Sequence, residues 1–291
     1  MKRLLSLLTG LIVVCSIYSQ EAVDLGLSVK WGSMNIGASD IYDTGEYFAW
    51  GETETKKGEY DFKWENYFDT GTNKWGHISM KLFKSGSYSS IKGSSSYDVA
   101  TKRLRGYWRM PTPYECREMA KNCKIKLIYD KNKDVYYWEF VSDNGNKIIV
   151  PVCGFKMENG IIRGTYFWTT KMDKNKETKA YSAQFSEGFA YSPWAVQTLN
   201  RCYGLVVRPV YDDSPRLENS GNPVEQKLWK FLLYARASLD AETYSDQSYY
   251  LGEAKKLLQE LESMPDVGKI LTHGELKMAK RFLNFCTDYR I

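Results

Sequence analysis

The side chains best suited to chemistry in this chain lie within "SEGFAYSPWAVQTLNRCYG", residues 186–204, where Tyr191, Trp194, Asn200, Arg201 and Tyr203 fall close together. Aromatic faces beside an amide and a guanidinium stack on a ring and hydrogen-bond its rim, so these five residues are candidate ligand contacts. Groups for catalysis are sparse. His77 and His273 are the two histidines of the chain and fall in different halves of it, which leaves a histidine triad or a multi-histidine metal site without parts. The sequence carries no G-x-S-x-G, H-E-x-x-H, Walker-type or dinucleotide-binding glycine pattern, so neither a catalytic residue nor a cofactor is expected. "DKNKD" at 130–134 starts like a calcium loop, but Val135 and Val141 stand where the sixth-place glycine and the twelfth-place acid would be sought, so it reads as a solvated turn. Glu46 with "ETET" (52–55) forms an acidic cluster beside aromatics. It reads as surface, with calcium ligation as the alternative, and no metal site is expected.

Five cysteines follow the N-terminal region: Cys116, Cys123, Cys153, Cys202 and Cys286. An odd number in a chain of this length suggests buried free thiols rather than a disulfide framework. Cys116 and Cys123 would stand two turns apart on a helix, about 10 Å, beyond the ~7 Å that a disulfide spans.

The elements that must position these residues fall into two kinds. Residues 1–19 are set apart first. Lys2 and Arg3 precede an apolar run, 4–14, and a polar stretch, which is the grammar of a cleaved signal peptide. Cutting after Ser19 makes Gln20 the expected mature start and lowers the formal charge from +5 to +3. A lipoprotein reading would acylate Cys15 instead. The chain is thus expected to be exported, to the periplasm, cell surface or medium, with no transmembrane segment after signal removal. Charges of both signs are interspersed, so no nucleic-acid partner is expected.

Residues 20–211 are rich in Gly, Trp, Tyr and Ser and read as α+β with strands dominating. "VYYWEFVSDNGNKIIVPVCGF" is a hairpin about Asn144-Gly145. "YFWTT" (166–170), "AYSAQF" (180–185) and "YGLVVRPV" (203–210) are further strands. "WRMPTPYE" turns a strand into a helix over 114–122, with Thr112 as cap and Pro113 in the first helical position. Aromatics make up 15% of the chain, and most of Trp31, Tyr47, Phe48, Trp50, Tyr60, Trp64, Tyr67, Trp75, Trp108 and Trp168 are expected in the core. Residues 212–222 read as a polar linker, and 223–291 as a small all-α region. In it Leu228, Phe231, Leu232 and Ala235, then Ala254, Leu257, Leu258 and Leu261, then Leu276, Ala279, Phe282, Leu283 and Cys286 recur at helical spacing. Thr272 with Glu275 forms a capping-box pattern that puts His273 in an exposed first turn.

Taken in order, "VDLGLSVKWGSMNIGA" (23–38), "GEYFAWGETETK" (45–56), "WRMPTPYECREMAKNC" (108–123), "NGNKIIVPVCGF" (144–155), "YFWTT" and "YGLVVRPV" resemble the Fibrobacter succinogenes major paralogous domain, a family abundant in secreted proteins of gut Bacteroidetes. That family is similar to the C-terminal domain of the Legionella collagen-like adhesin and, more distantly, to sulfatase-modifying factors. The resemblance covers residues 22–211 and implies a C-type-lectin-like domain with a mainly antiparallel sheet and long functional loops. It implies a scaffold role for the 108–112 corner, with Trp108 filling the core and Arg109 binding carbonyls or carboxylates. The cysteine pair of the formylglycine-generating relatives has no counterpart beyond Cys202 and the distant Cys153. Calcium-dependent sugar binding would want Glu-Pro-Asn or Trp-Asn-Asp near Glu187 and Asn200, and neither is present. The expected function is a non-catalytic module binding a glycan or protein, and the alternative is a structural subunit of an envelope or fimbria-like assembly that docks through the helical tail.

Overall fold

The structure is a computed structural model that describes residues 20–84, 90–185 and 196–289. It is α+β, with mostly antiparallel sheets followed by a helical C-terminal region. The first sheet brings together distant parts of the chain. Its order is Ala22–Val23, Lys30–Gly32, Val210–Tyr211, Trp108–Arg109, so the segment after residue 203 returns between the N-terminal strand and the corner. Cys123–Asp130, Val135–Ser142 and Lys147–Pro151 form a second sheet, and Thr165–Met172, Lys179–Phe185 and Val196–Asn200 a third.

The 135–151 hairpin forms as its Asn-Gly turn dictates. Gly145 sits at φ +87°, its N–H donating to Ser142 O, while the Asn144 and Asn146 amides donate to Asp24 O. The strand Cys123–Asp130, which pairs with it through eight residues, was not expected. Asp130 caps the "DKNKD" turn by accepting from Asn132 N and Lys133 N. "YGLVVRPV" departs from a regular strand, and only Val210–Tyr211 ladders. Leu205 bridges Phe48, Val206 bridges Phe167 and Val207 O accepts from Ile36 N. The run is buried on all sides, so its apolar β-branched residues reflect burial rather than ladder pairing.

Trp31, Phe48, Trp50, Tyr67 and Trp168 are buried as expected. Tyr60 and Trp75 are exposed, and Tyr47 and Trp64 half-buried. Trp108 is also only half-buried and meets Tyr211 edge-on, so the core-filling role expected of it is corrected. Arg109, its neighbour, is the buried member of the pair.

The helices Pro223–Asp240, Tyr244–Glu262 and His273–Asp288 pack about Phe231, Leu232, Ala254, Leu261 and Phe282, with the capping box at Thr272 and Glu275 present and His273 exposed. Residues 212–222 are anchored rather than a free linker, although Pro215, Arg216, Glu218, Asn219 and Gly221 are exposed. Asp212, Ser214 and Leu217 are buried, and Ser214–Glu218 is a short helix. The tail is therefore fastened to the β-rich part. Tyr114 of the corner helix Pro113–Asn122 meets Tyr289 edge-on at 5.5 Å, Lys121 pairs with Asp288 at 2.6 Å, and Arg281 pairs with Asp143 at 2.9 Å. No helix among the described residues is long and apolar enough to cross a membrane.

Candidate functional site

Of the five expected contact residues, Tyr191 and Trp194 lie outside the described residues, and the structure brings the other three into one tight turn. Tyr203 N donates to Asn200 O at 3.0 Å, and Asn200 Nδ2 donates to the Tyr203 hydroxyl at 3.1 Å. The Tyr203 ring stacks on Phe155 with centroids 5.4 Å apart and planes 15° off parallel. Gly204 follows because a Cβ there would stand 2.6 Å from the Phe62 ring. Asn200 and Tyr203 are both half-buried and keep surface for a ligand.

Arg201 has a different position from the one expected. Its side chain is wholly buried, so it is not available as a ligand contact. Its guanidinium pairs with Asp69 at 2.5 Å and donates to the Tyr67 hydroxyl at 3.0 Å, Phe83 O at 3.1 Å and Glu177 O at 2.7 Å. It also lies over the rings of Trp50, Tyr67 and Phe83 at 4.8–5.4 Å. Asp69, equally buried, accepts from Leu82 N at 2.6 Å and Phe83 N at 3.3 Å besides Arg201. One ion pair thus fastens the 67–69, 82–83, 177 and 200–203 stretches, and the Arg201 backbone adds bonds to Thr178 O and from Trp50 N. Burial holds the Tyr67 hydroxyl well above its ordinary range against the opposing charge of Arg201. No local pattern announced this role, because Asp69 lies 132 residues away in sequence.

A second concentration of charge sits at the corner. Asp98 caps the helix Val99–Leu104 and accepts from Gly93, Thr101 and Met110 N–H groups; burial raises its carboxyl although those donors pull the other way. Thr112 and Glu115 form the capping box. Glu115 also holds Arg109 in a two-pronged grip at 2.6 and 2.9 Å, as the acid-binding role expected of Arg109 requires. Asp212 takes Arg109 at 2.8 Å from one side and Arg236 of the tail at 3.1 Å from the other. Burial opposes ionisation of Asp212, yet the Arg236, Arg109 and Lys92 charges hold its carboxyl well below the ordinary range. Glu118, on the same helix, accepts from Ser28 N at 3.0 Å and Ser28 Oγ at 2.5 Å, and burial pushes it up to about 7.

Perturbed acids in a cleft are a mark of catalysis, but here Glu115 and Asp212 are paired with Arg109 and Arg236, Asp98 is held by backbone N–H groups and Glu118 by Ser28. The cavity beside them, lined by Lys92, Glu115, Lys171 and Arg236, holds about 40 Å³, room for little more than water. A crevice of about 190 Å³ between the 24–30 loop and the tail has an apolar floor of Leu27, Leu228 and Leu232. It falls below the ~300 Å³ at which pockets begin to enclose small molecules.

The acidic cluster is occupied by cations. Glu46 and Glu54 bind Arg103, and Glu52 binds Lys56. Among the described residues no group of three or more His, Cys, Asp or Glu side chains is placed to hold a metal ion. All five described cysteines are buried free thiols, Cys153 being pushed up to about 11 and Cys202 to about 12 by burial. Comparison of the chain with protein-family models, with curated proteins and with solved structures finds no match.

Proposed function

We propose that the chain is an exported, non-catalytic binding module whose C-type-lectin-like domain recognises a glycan or protein through the loop end that carries Asn200 and Tyr203, with Tyr191 and Trp194 from the adjoining stretch. One observation carries this reading: the buried Arg201–Asp69 pair holds three other stretches in one geometry with the half-exposed Asn200–Tyr203 turn. Fixing irregular loops on a rigid scaffold lowers the ordering cost of binding. The resemblance to the paralogous-domain family and the signal-like residues 1–19 support the same reading. So does the mutual neutralisation of Arg109, Glu115, Asp212 and Arg236 at the corner.

The test is an array of glycans and extracellular proteins probed with residues 20–291. The reading expects saturable retention by one ligand class that weakens in Tyr203→Leu. Retention by none, or turnover of an arrayed compound, would overturn it.

The assembly reading has one observation in its favour. An open groove along Pro223–Asp240 and Tyr244–Glu262 is lined by Trp229, Leu233, Ala237 and Tyr250, and Leu233 is 49% exposed. Recognition stays ahead because most apolar side chains of the tail are spent on its own core and on the corner helix. Sedimentation of the purified chain separates the two, since assembly through the tail requires concentration-dependent oligomers that Leu233→Glu abolishes.

A further inference from the structure

The hairpin Thr70–Thr72/Ile78–Met80 has a use that ligand recognition at the Asn200–Tyr203 turn does not absorb. Asn73 builds its tip, its side-chain oxygen accepting from Trp75 N at 2.9 Å and His77 N at 3.0 Å, its backbone N–H donating to His77 O. On this turn Trp75 stands 73% exposed, with the Lys74 ammonium 5.0 Å from its ring centre. Ile78 is 43% and Leu82 58% exposed on the same short segment. The base is fastened, because Asp69 holds Leu82 N and Phe83 N and Glu177 accepts from Met80 N. Charge on the segment is of one sign. Residues 70–84 contain Lys74, Lys81, Lys84 and His77 and no acid. At its base stand two bonded acids, Asp69, which is paired with Arg201, and Glu177.

We propose that this hairpin is a membrane-contacting element that seats Trp75, Ile78 and Leu82 in the interfacial layer of an anionic lipid surface while Lys74 and Lys81 meet the headgroup phosphates. Indole rings settle at the headgroup level of bilayers. Each lysine near an anionic leaflet strengthens attachment about fivefold. An anionic polysaccharide would match the charge, but Ile78 and Leu82 present no ring face to a sugar, whereas a lipid layer accepts aliphatic groups. A short hairpin that exposes Trp75 at its tip, Ile78 on its strand and Leu82 at its base gives shallow, reversible attachment rather than insertion of a span. This inference stands apart from the recognition reading, which concerns a different turn.

Cosedimentation of residues 20–291 tests it, with vesicles of equal parts phosphatidylglycerol and phosphatidylcholine against vesicles of phosphatidylcholine alone. The chain should partition onto the anionic vesicles at low salt and release at about 0.3 M salt, where screening is short-ranged. Trp75→Ala should weaken partition about tenfold, and Lys74→Glu with Lys81→Glu about 25-fold or more. Tyr129→Ala, on the separate hairpin Cys123–Asp130/Val135–Ser142, should leave it unchanged. Unaltered melting temperatures establish that the variants are folded, as expected for exposed positions. Failure to bind anionic vesicles at low salt, or binding that survives Trp75→Ala, overturns the proposal. So does Trp75-dependent retention on dextran sulfate without vesicle binding, which would make the hairpin a polysaccharide contact.

Discussion

Replacing Asp69 with alanine should destabilise the protein by about 3–5 kcal/mol, the usual consequence of leaving one member of a buried ion pair behind. The structure says where that figure comes from. Asp69 and Arg201 are both wholly buried, so the guanidinium left by the substitution keeps its charge in a site walled by the Trp50, Tyr67 and Phe83 rings. Its three remaining acceptors, the Tyr67 hydroxyl and the Phe83 and Glu177 carbonyls, are neutral. The N–H groups of Leu82 and Phe83 lose their acceptor as well, at roughly 1–3 kcal/mol for each that stays dry. Asp69→Asn retains an oxygen for those donors and should cost about half as much. Urea denaturation measures the difference, and a melting temperature lower by roughly 6–15 °C accompanies the alanine change. Amide hydrogen exchange should quicken first in residues 67–84 and 196–204, the stretches that the pair joins. A loss below about 1 kcal/mol with unchanged exchange would refute the keystone role of Arg201 and return it to the surface.

Glu118→Gln should change how stability depends on pH. The folded carboxyl stands at about 7 against 4.5 for the free group, so stability it contributes at low pH is lost as pH rises through 7, by roughly 3 kcal/mol; urea melts at pH 4.5 and 8 should show that loss in the parent and a smaller one in the variant, which keeps the raised carboxyl of Asp98. Acids held low, such as Asp212, act in the opposite sense and only below about pH 4, outside that window. Asp212→Ala should cost about 3–5 kcal/mol by leaving Arg236 without its carboxylate and Arg109 with Glu115 alone, measured by urea melts. In the parent, protease should spare residues 212–222 until global unfolding, and early cutting there would contradict the fastened tail. Ellman's reagent should label none of the five buried cysteines of residues 20–291 in the native protein and all five in denaturant.

What was legible in the sequence was local. The Asn144-Gly145 hairpin, the Thr112–Pro113 helix start and the Thr272 capping box follow from neighbours a few residues apart, and each is present. The apolar periodicity of the three tail helices likewise required no partner to be identified. The strand Cys123–Asp130 is hard to read although Ile125 and Leu127 alternate with lysines, because the helix runs into it at Asn122–Cys123 with no Gly or Pro to mark the boundary. Residues 212–222 misled for a physical reason. Polar, Pro- and Gly-bearing text looks exposed, and nothing local tells that Asp212 is buried between Arg109 and Arg236, 103 and 24 residues away. Arg201 misled in the same way. Within its own stretch it looked like a recognition residue, and only Asp69 across the fold makes it structural. Trp75 was expected with the core aromatics, yet its place between Lys74 and Gly76 on an Asn73-built turn leaves it exposed.

The most direct measurement is the affinity of the parent and of Asn200→Ser with Tyr203→Leu for the ligand that the array returns, taken with the melting temperature of each. Removing the amide and the stacked phenol should weaken binding about tenfold or more, since one ring contact and one hydrogen bond are together worth roughly 1.5–2 kcal/mol. Melting should shift by only a few degrees, because both residues are half-buried and neither bonds to the Arg201–Asp69 pair through its side chain. Undiminished affinity in a folded double variant would contradict the assignment of this turn as the recognition surface.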